Sequence, residues 1–363
     1  MPVSISGTNG VTVPDSSLQT AAASPYTLKN KIINGSMVID QRNAGASVTS
    51  GFPVDRFQVY STQSSKWTAQ QSTTAPTGFT NSVIITSSSS YSPISSDYFS
   101  YTTRIEGFNV ADLDWGTANA KTITVSFWVR SSLTGTWTGA LHNNAFNRVY
   151  PFSYTISSAN TWEYKTVTIA GDTTGTWLTN NSVGIEIGFA FSVGSSGLGT
   201  AGAWTNTASI FGATGQTNLL GTNGATFYIT GVQLEQNTSA TPFERRLYNQ
   251  ELANCQRYYW KVDGGTTGDF VAIGSGVCQT TTQVRLYVKY PVAMRAAPTI
   301  SYNGSIYADD GNNGNLVTSI ATAFEGLDQM MLDFNTTSKT VGRGVTCFVV
   351  NSTGNNLIAS AEL

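Results

Sequence analysis

The chain has 363 residues, 19 basic and 21 acidic, with a net charge of −2 and only 11 % charged side chains, against roughly 25 % in ordinary soluble domains. Without a dense basic run it lacks the electrostatic footprint of a nucleic-acid binder, and no stretch approaches the roughly eighteen uninterrupted apolar residues of a membrane-spanning helix. Gly, Ser, Thr and Asn take the place of the missing charge, the surface of a β-rich protein displayed outside cells.

This length suggests two or three domains. Residues 1–28 hold short alternating pieces, Val3 with Ile5 and Val11 with Val13, followed by a polar tether; the opening MPVSISGTNG has neither the basic nor the apolar region of a signal peptide. A piece this short cannot bury a core, so it is either a loose tail or ordered against a partner.

From residue 29 to 240 the pattern is that of one large β domain, opened by Ile32, Ile33, Met37, Val38 and Ile39. Its clearest strand sets Ile123, Val125, Phe127 and Val129 on one face and Thr124, Ser126, Trp128 and Arg130 on a wetter one; Val183 to Phe191 alternates in the same way. Short alternating strands between Gly, Ser, Asn and Thr turns indicate an antiparallel sandwich. The long segment from Gly194 to Gly224 carries Trp204, which is either offered to a sugar or a neighbouring subunit or plugged into its own domain. The strand from Thr226 is interrupted by Gly231, which suggests a bulge.

Thr241, Pro242 and Glu244 have the spacing of a helix start, so a connector helix is expected over residues 241–261, with Phe243, Leu247, Leu252, Cys255 and Tyr259 on its apolar side and Arg245 and Arg257 toward water. Residues 262–363 alternate again, with Val284, Leu286 and Val288 against Arg285, Tyr287 and Lys289, and form a second, smaller β-sandwich from which residues 302–315 should project. The fold class is therefore all-β: an antiparallel sandwich, a short helix and a second sandwich.

The runs GVQLE and TPFERRLYNQELANCQRYYW, the opening NKIINGSMVIDQR, the block IEGFNVADLDWGTANAKTITVSFWVRSSLTG, the strand NTWEYKTVTIAGDTTGTW and the element YPVAMRAAPTI together resemble bacteriophage and prophage virion proteins, chiefly tail fibres and related adhesins with carbohydrate-binding-module-like jelly rolls. Leu247 departs from that resemblance, because many such proteins have proline there, and it moves the expected helix start a turn earlier. The resemblance implies a jelly roll for the first domain, a homotrimer, and a virion-anchoring leader in which Val3, Ile5, Val11 and Val13 dock to another protein of the tail or capsid. The expected role is attachment to a host surface polysaccharide, with location on the virion, no membrane insertion and no cofactor. A head fibre or capsid decoration protein, and a glycan-cleaving tail enzyme, stand as alternatives.

The chemistry expected is contact rather than catalysis. His142 is the sole histidine, so Ser-His-Asp or Cys-His chemistry has one residue to build on, and a histidine making one hydrogen bond fits better. Asp112 with Asp114, Asp309 with Asp310, Glu186, Glu244 and Glu251 are the acids a glycan-cleaving pair could draw on, although adjacent carboxylates in loops more often cap turns. Asp40, Asp112 and Asp114 are the residues to test for calcium, but no calcium-loop motif exists and no metal is assigned. The widely spaced Cys255, Cys278 and Cys347 are expected as buried, reduced thiols. Candidate glycan contacts are Trp204 and, in the C-terminal domain, Tyr302, Tyr307, Asp309 and Asp310.

Overall fold

The structure, a computed structural model, describes residues 29–264, 270–350 and 354–363 in full and, before them, the backbone of three short strands, Ser4–Ser6, Gly10–Thr12 and Leu18–Gln19. These pair antiparallel, with Ile5 opposite Val11. Val3 and Val13 lie outside the described residues.

The first sandwich contains β1 (Gly51–Val54), β2 (Phe57–Ser61), β3 (Trp67–Ser72), β4 (Ser82–Ser87), β5 (Tyr98–Glu106), β6 (Ile123–Ser131), β7 (Gly135–His142), β8 (Val149–Ile156), β9 (Glu163–Ile169), β10 (Val183–Val193) and β11 (Thr226–Glu235). A six-stranded sheet in the order β8-β7-β10-β5-β2-β1 packs on a five-stranded sheet in the order β9-β6-β11-β4-β3. All pairings in both are antiparallel, and the chain crosses repeatedly from one sheet to the other, as in a jelly roll. The alternation read from the sequence fixes what lies between them. Phe127 meets Phe189 at 5.0 Å, Phe191 meets Phe227 at 5.0 Å and Trp137 meets Phe227 at 4.7 Å, all fully buried. Burying each such ring stabilises the fold by roughly 1.5–3 kcal/mol.

The only α-helix among the described residues, α1 (Tyr248–Gln256), starts later than the sequence suggests. Thr241 does not cap it: its N–H and hydroxyl donate to the two carboxylate oxygens of Glu235, each at 2.8 Å. Glu244 instead accepts the backbone N–H groups of Lys29 (3.1 Å) and Asn30 (2.8 Å). The capping groups are thus spent on tertiary contacts, and Pro242 holds Thr241 extended. Leu247 occupies the N-cap position and is exposed rather than part of an apolar stripe. Arg257 also departs from expectation, because it turns back to a bidentate pair with buried Glu106, at 2.7 and 3.1 Å.

The second unit comprises β12 (Tyr259–Asp263), β13 (Val271–Cys278), β14 (Gln283–Lys289), β15 (Thr299–Asn303), β16 (Ile306–Asp309), β17 (Gly314–Leu316), β18 (Ser319–Glu325), β19 (Gln329–Asn335), β20 (Gly344–Val349) and β21 (Asn356–Ser360). A three-stranded sheet, β12-β21-β15, packs on a seven-stranded one, β17-β16-β20-β13-β14-β19-β18. Residues 302–315 do not project. Most of them form the β16–β17 hairpin at the edge of the large sheet, paired through Tyr307 to Phe348.

The two units are joined by charge as well as chain. Arg42 donates to Asp55 (2.8 Å) and to Glu362 (2.7 Å), and Arg56 donates to the other oxygen of Glu362. The guanidinium groups of Arg42 and Arg56 lie over the rings of Tyr259 and Tyr258, each at 3.6 Å. Tyr258 donates to Glu106 at 2.7 Å, and Arg295 bridges the carbonyls of Asn181 and Ala361.

Candidate functional site

The outer faces of the first sandwich differ. That of the six-stranded sheet is covered: Ile210 packs on Ala140 and Val149, Phe211 stacks on Tyr98 at 4.2 Å, and Glu362 closes on Arg56 at the far end. The outer face of the five-stranded sheet is covered only at one end, where Thr124 donates to the Asn237 carbonyl (2.9 Å). The remainder carries aromatic side chains among hydroxyls and amides.

Register sets that arrangement. Tyr164 on β9 lies opposite Trp128 on β6, which lies opposite Thr230 on β11; one row along, Arg130 lies opposite Tyr228, and Tyr228 opposite Ile84. The Trp128 and Tyr164 rings meet at 5.3 Å, Trp162 meets Tyr228 at 6.0 Å, and the Arg130 guanidinium sits 5.1 Å over Tyr228. Arg130 is held in place by its hydrogen bond to the Asn160 carbonyl (2.9 Å). At Gly231 the β6–β11 register shifts in a bulge, as the sequence suggests, and the backbone takes φ +63°. A Cβ there would lie 2.7 Å from the Phe79 ring and 3.1 Å from Trp128, so the absence of a side chain lets both aromatics close over the strand. Phe79 continues the strip to Phe243 (5.1 Å), under the Arg245 guanidinium.

Such a surface can receive a flat, uncharged ring. Indole and phenol faces take up the apolar C–H side of a pyranose, while neighbouring Thr166 and Gln70 offer hydroxyl and amide partners to sugar hydroxyls. No protein-family model matches the chain, and no curated protein matches it. Among solved structures it is similar to the enzymatically active domain of tailspike protein 4 of bacteriophage CBA120 (12 % identity, TM-score 0.31, 57 % of this chain and 21 % of that one). It is also similar to a family 11 carbohydrate-binding module from Clostridium thermocellum in complex with a mixed-linked tetrasaccharide (11 %, TM-score 0.29, 51 % and 91 %) and to a putative sugar binding protein from Bacteroides thetaiotaomicron (9 %, TM-score 0.33, 58 % and 100 %). The chain thus aligns with about a fifth of the tailspike, and the site is argued from its own residues.

Trp204, from the long 194–224 segment, packs edge to face with Trp115 (5.4 Å) and Trp177 (5.5 Å), and its indole N–H donates to the Ala170 carbonyl at 2.8 Å. It is a plug that keeps one edge on a cleft of about 270 Å³ shared with Leu198, Thr200 and Thr207. Tyr302 lies on β15 of the small sheet and Tyr307 on β16 of the large one, so the structure does not gather the C-terminal candidates into one site. Asp310 is buried and caps its own turn, accepting the N–H groups of Asn312, Asn313 and Thr340, which hold its carboxyl well below the usual range. Asp309 is exposed and accepts the Gly311 N–H (2.8 Å). Trp128 and Tyr228 carry a legible signal, large aromatics on the wetter face of alternating strands, whereas only register brings Tyr164, on β9, and Trp162, just before it, beside them.

The remaining polar candidates are engaged elsewhere. His142 is buried and bonds the Ile210 carbonyl through Nε2 at 2.7 Å; burial lowers its pKa although Glu186 stands 4.0 Å from Nδ1. Asp112 pairs with Lys31, Asp114 with Lys121, Glu186 with Arg104 and Glu251 with Arg246. Asp40 accepts the backbone N–H groups of Arg42, Asn43 and Gly45. Among the described residues no three acidic, histidine or cysteine side chains cluster as a metal would require. All three cysteines are free and buried.

Proposed function

We propose that this chain is a bacteriophage virion adhesin that attaches to a host surface polysaccharide through the outer face of its five-stranded sheet. The observation that carries the reading is the aromatic surface built by Tyr164, Trp128, Trp162 and Tyr228 across three neighbouring strands and left uncovered by the chain. The motifs that resemble tail fibres support the virion setting, and the scarcity of charge suits a particle surface. The contact is adhesive rather than hydrolytic: the acids available for a cleaving pair are committed to arginines, lysines and backbone N–H groups. The chain acts as a homo-oligomer, the homotrimer that the resemblance implies, so that individually weak sugar contacts add through effective concentration.

The test is binding of the purified chain to a glycan array and to bacterial envelope polysaccharide, with Trp128→Ala and Tyr164→Ala as variants. Each is expected to weaken binding at least tenfold, about 1.4 kcal/mol, while the loss of the cross-strand ring pair lowers stability by only about 0.2–1 kcal/mol and leaves the chain folded. Undiminished binding by both variants would remove this face from the reading, and oligosaccharide released on incubation would replace adhesion with cleavage. Antibody labelling of virions against residues 262–363 places the protein on tail or capsid.

A further inference from the structure

The outer face of the five-stranded sheet holds little charge, and what it leaves open is of one sign. The segments that rim it, residues 73–81, 157–162 and 236–243, contain no acidic or basic side chain. Glu235, the one acid on an outward row of these strands, is buried and accepts hydrogen bonds from Thr241 and Gln233. Glu163 lies opposite Val129, on the core side of β9, and is neutralised by Lys165 at 2.6 Å. Glu244, at the end of the aromatic strip, is turned to the backbone N–H groups of Lys29 and Asn30.

Two arginines remain. Arg42, Arg56, Arg104, Arg148, Arg246 and Arg257 each pair with a carboxylate. Arg130 and Arg245 have no carboxylate within ion-pair distance among the described residues, and both lie over rings of this face, Arg130 over Tyr228 and Arg245 over Phe79 at 4.6 Å. Arg130 spends only Nε, on the Asn160 carbonyl, so the fork of Nη1 and Nη2 has no hydrogen bond among the described residues. Arg245 is exposed and spends only Nη2, on the Gly78 carbonyl. Stacking thus holds each guanidinium plane without using its remaining donors. Arg130 stands two residues, about 7 Å, along β6 from Trp128. In the other direction Trp128 meets Phe79 at the Gly231 bulge, and Phe79 leads to Arg245, so a ring stacked on Trp128 has a guanidinium on either side.

We infer that the polysaccharide this face takes is acidic, a polymer bearing uronic-acid carboxylates, with one carboxylate on the Arg130 fork and the next charge along the polymer meeting Arg245. A neutral glycan laid on the strip would strip water from two cations and return no counter-charge. A carboxylate offers two coplanar oxygens that match the guanidinium fork, and on a uronic acid it is attached to the ring that stacks, within reach of an arginine beside Trp128. A phosphodiester places its charge between rings instead. The chain as a whole carries a net charge of −2, so the attraction is local to this face. The inference rests on the adhesive reading of the first sandwich and adds the chemical group that selects the ligand.

The experiment is binding of the full chain to bacterial envelope polysaccharides, with each uronate-bearing polymer used both native and after reduction of its carboxyls to alcohols. The parent should bind native uronate polymers, lose roughly tenfold on their reduced forms, and weaken as ionic strength rises and screens the exposed charges. Arg130→Ala and Arg245→Ala should each bring affinity for the native polymer down toward that for the reduced one. Arg130→Lys, which keeps the charge and gives up the fork, should recover only part of the loss. The comparison of native with reduced polymer uses the parent alone, so it needs no variant to fold. Equal binding of the two forms, or binding confined to neutral or phosphate-bearing polymers, overturns the inference; where that binding still falls with Trp128→Ala, the adhesive reading stands. A parent chain that binds no polysaccharide removes both.

Discussion

Replacing Gly231 with alanine tests the link between the bulge and the aromatic face. The residue sits at φ +63°, where a side chain costs roughly 1–2 kcal/mol in backbone strain. The new methyl would also stand 2.7 Å from the Phe79 ring and 3.1 Å from Trp128, an overpacking of about 1–3 kcal/mol unless the rings move. The expected destabilisation is therefore about 2–5 kcal/mol, which at ~2–4 °C per kcal/mol for a unit of this size lowers the melting temperature by roughly 4–20 °C. The control is Gly202→Ala, whose glycine has φ +91° but no atom within 4 Å of the added methyl and so bears the strain alone. Urea unfolding of both variants separates strain from clash, and tryptophan fluorescence follows Trp128 as it is displaced from Tyr164. Glycan binding by Gly231→Ala should fall with the platform. Equal unfolding midpoints for the two variants, together with parent-like glycan binding by Gly231→Ala, would refute the reasoning.

Other expectations follow from the junction and the core. Burial pushes the Asp55 carboxyl up to about 6 from 3.8 despite Arg42 and Gln41, so the stability it contributes is full below about 3.8 and is lost as pH rises through 6, up to ~3 kcal/mol. His142, held below its usual 6.5 by burial, acts in the opposite sense as pH falls beneath that value, so the check is the difference between the parent and Asp55→Asn in urea melts at pH 5 and pH 7. Arg257→Ala leaves buried Glu106 with only Tyr258 and should destabilise by about 3–5 kcal/mol, whereas Tyr258→Phe, which keeps the arginine, should cost about 1–3 kcal/mol; denaturant midpoints give the order. The thiols should resist a disulfide reagent in the native protein and react together on unfolding, because all are buried and burial pushes Cys347 up to about 12. Rapid native labelling of Cys347 would show that the second core opens readily.

Periodicity carried most of the fold. The alternation in β6 and β14 predicts which residues face the core, and Gly231 announces its bulge, because these depend on local geometry that a strand imposes on its own residues; β10 is buried on both faces, since the segment carrying Ile210 and Gly212 covers its outer side. The helix start was misplaced because Thr241 and Glu244 hold the right groups at the right spacing for a cap, yet those groups meet Glu235 and the Lys29–Asn30 backbone in space. The partners of Glu244 lie more than two hundred positions away, which spacing cannot reveal, and Glu235, six positions before Thr241, competes for it only because the strand end and the following loop fold back on each other. The aromatic face was half legible: Trp128 and Arg130 stood on the wetter side of their strand, but only register shows that Tyr164 and Tyr228 stand beside them. Tyr302 and Tyr307 looked like one projecting loop because the turn-rich composition of residues 302–315 hides two strands that join different sheets.

Glu362 reaches from the second unit into the arginines of the first, while Arg257 and Tyr258 do the same from the helix end. The halves therefore do not swivel on a tether; removing either would strand buried charge in the other, so they should melt in a single step. A rigid elbow of this kind has a geometric outcome: the heading of the aromatic face of the first sandwich is set by the second unit, so anything that held the second unit would present that face in one orientation instead of letting it sample many.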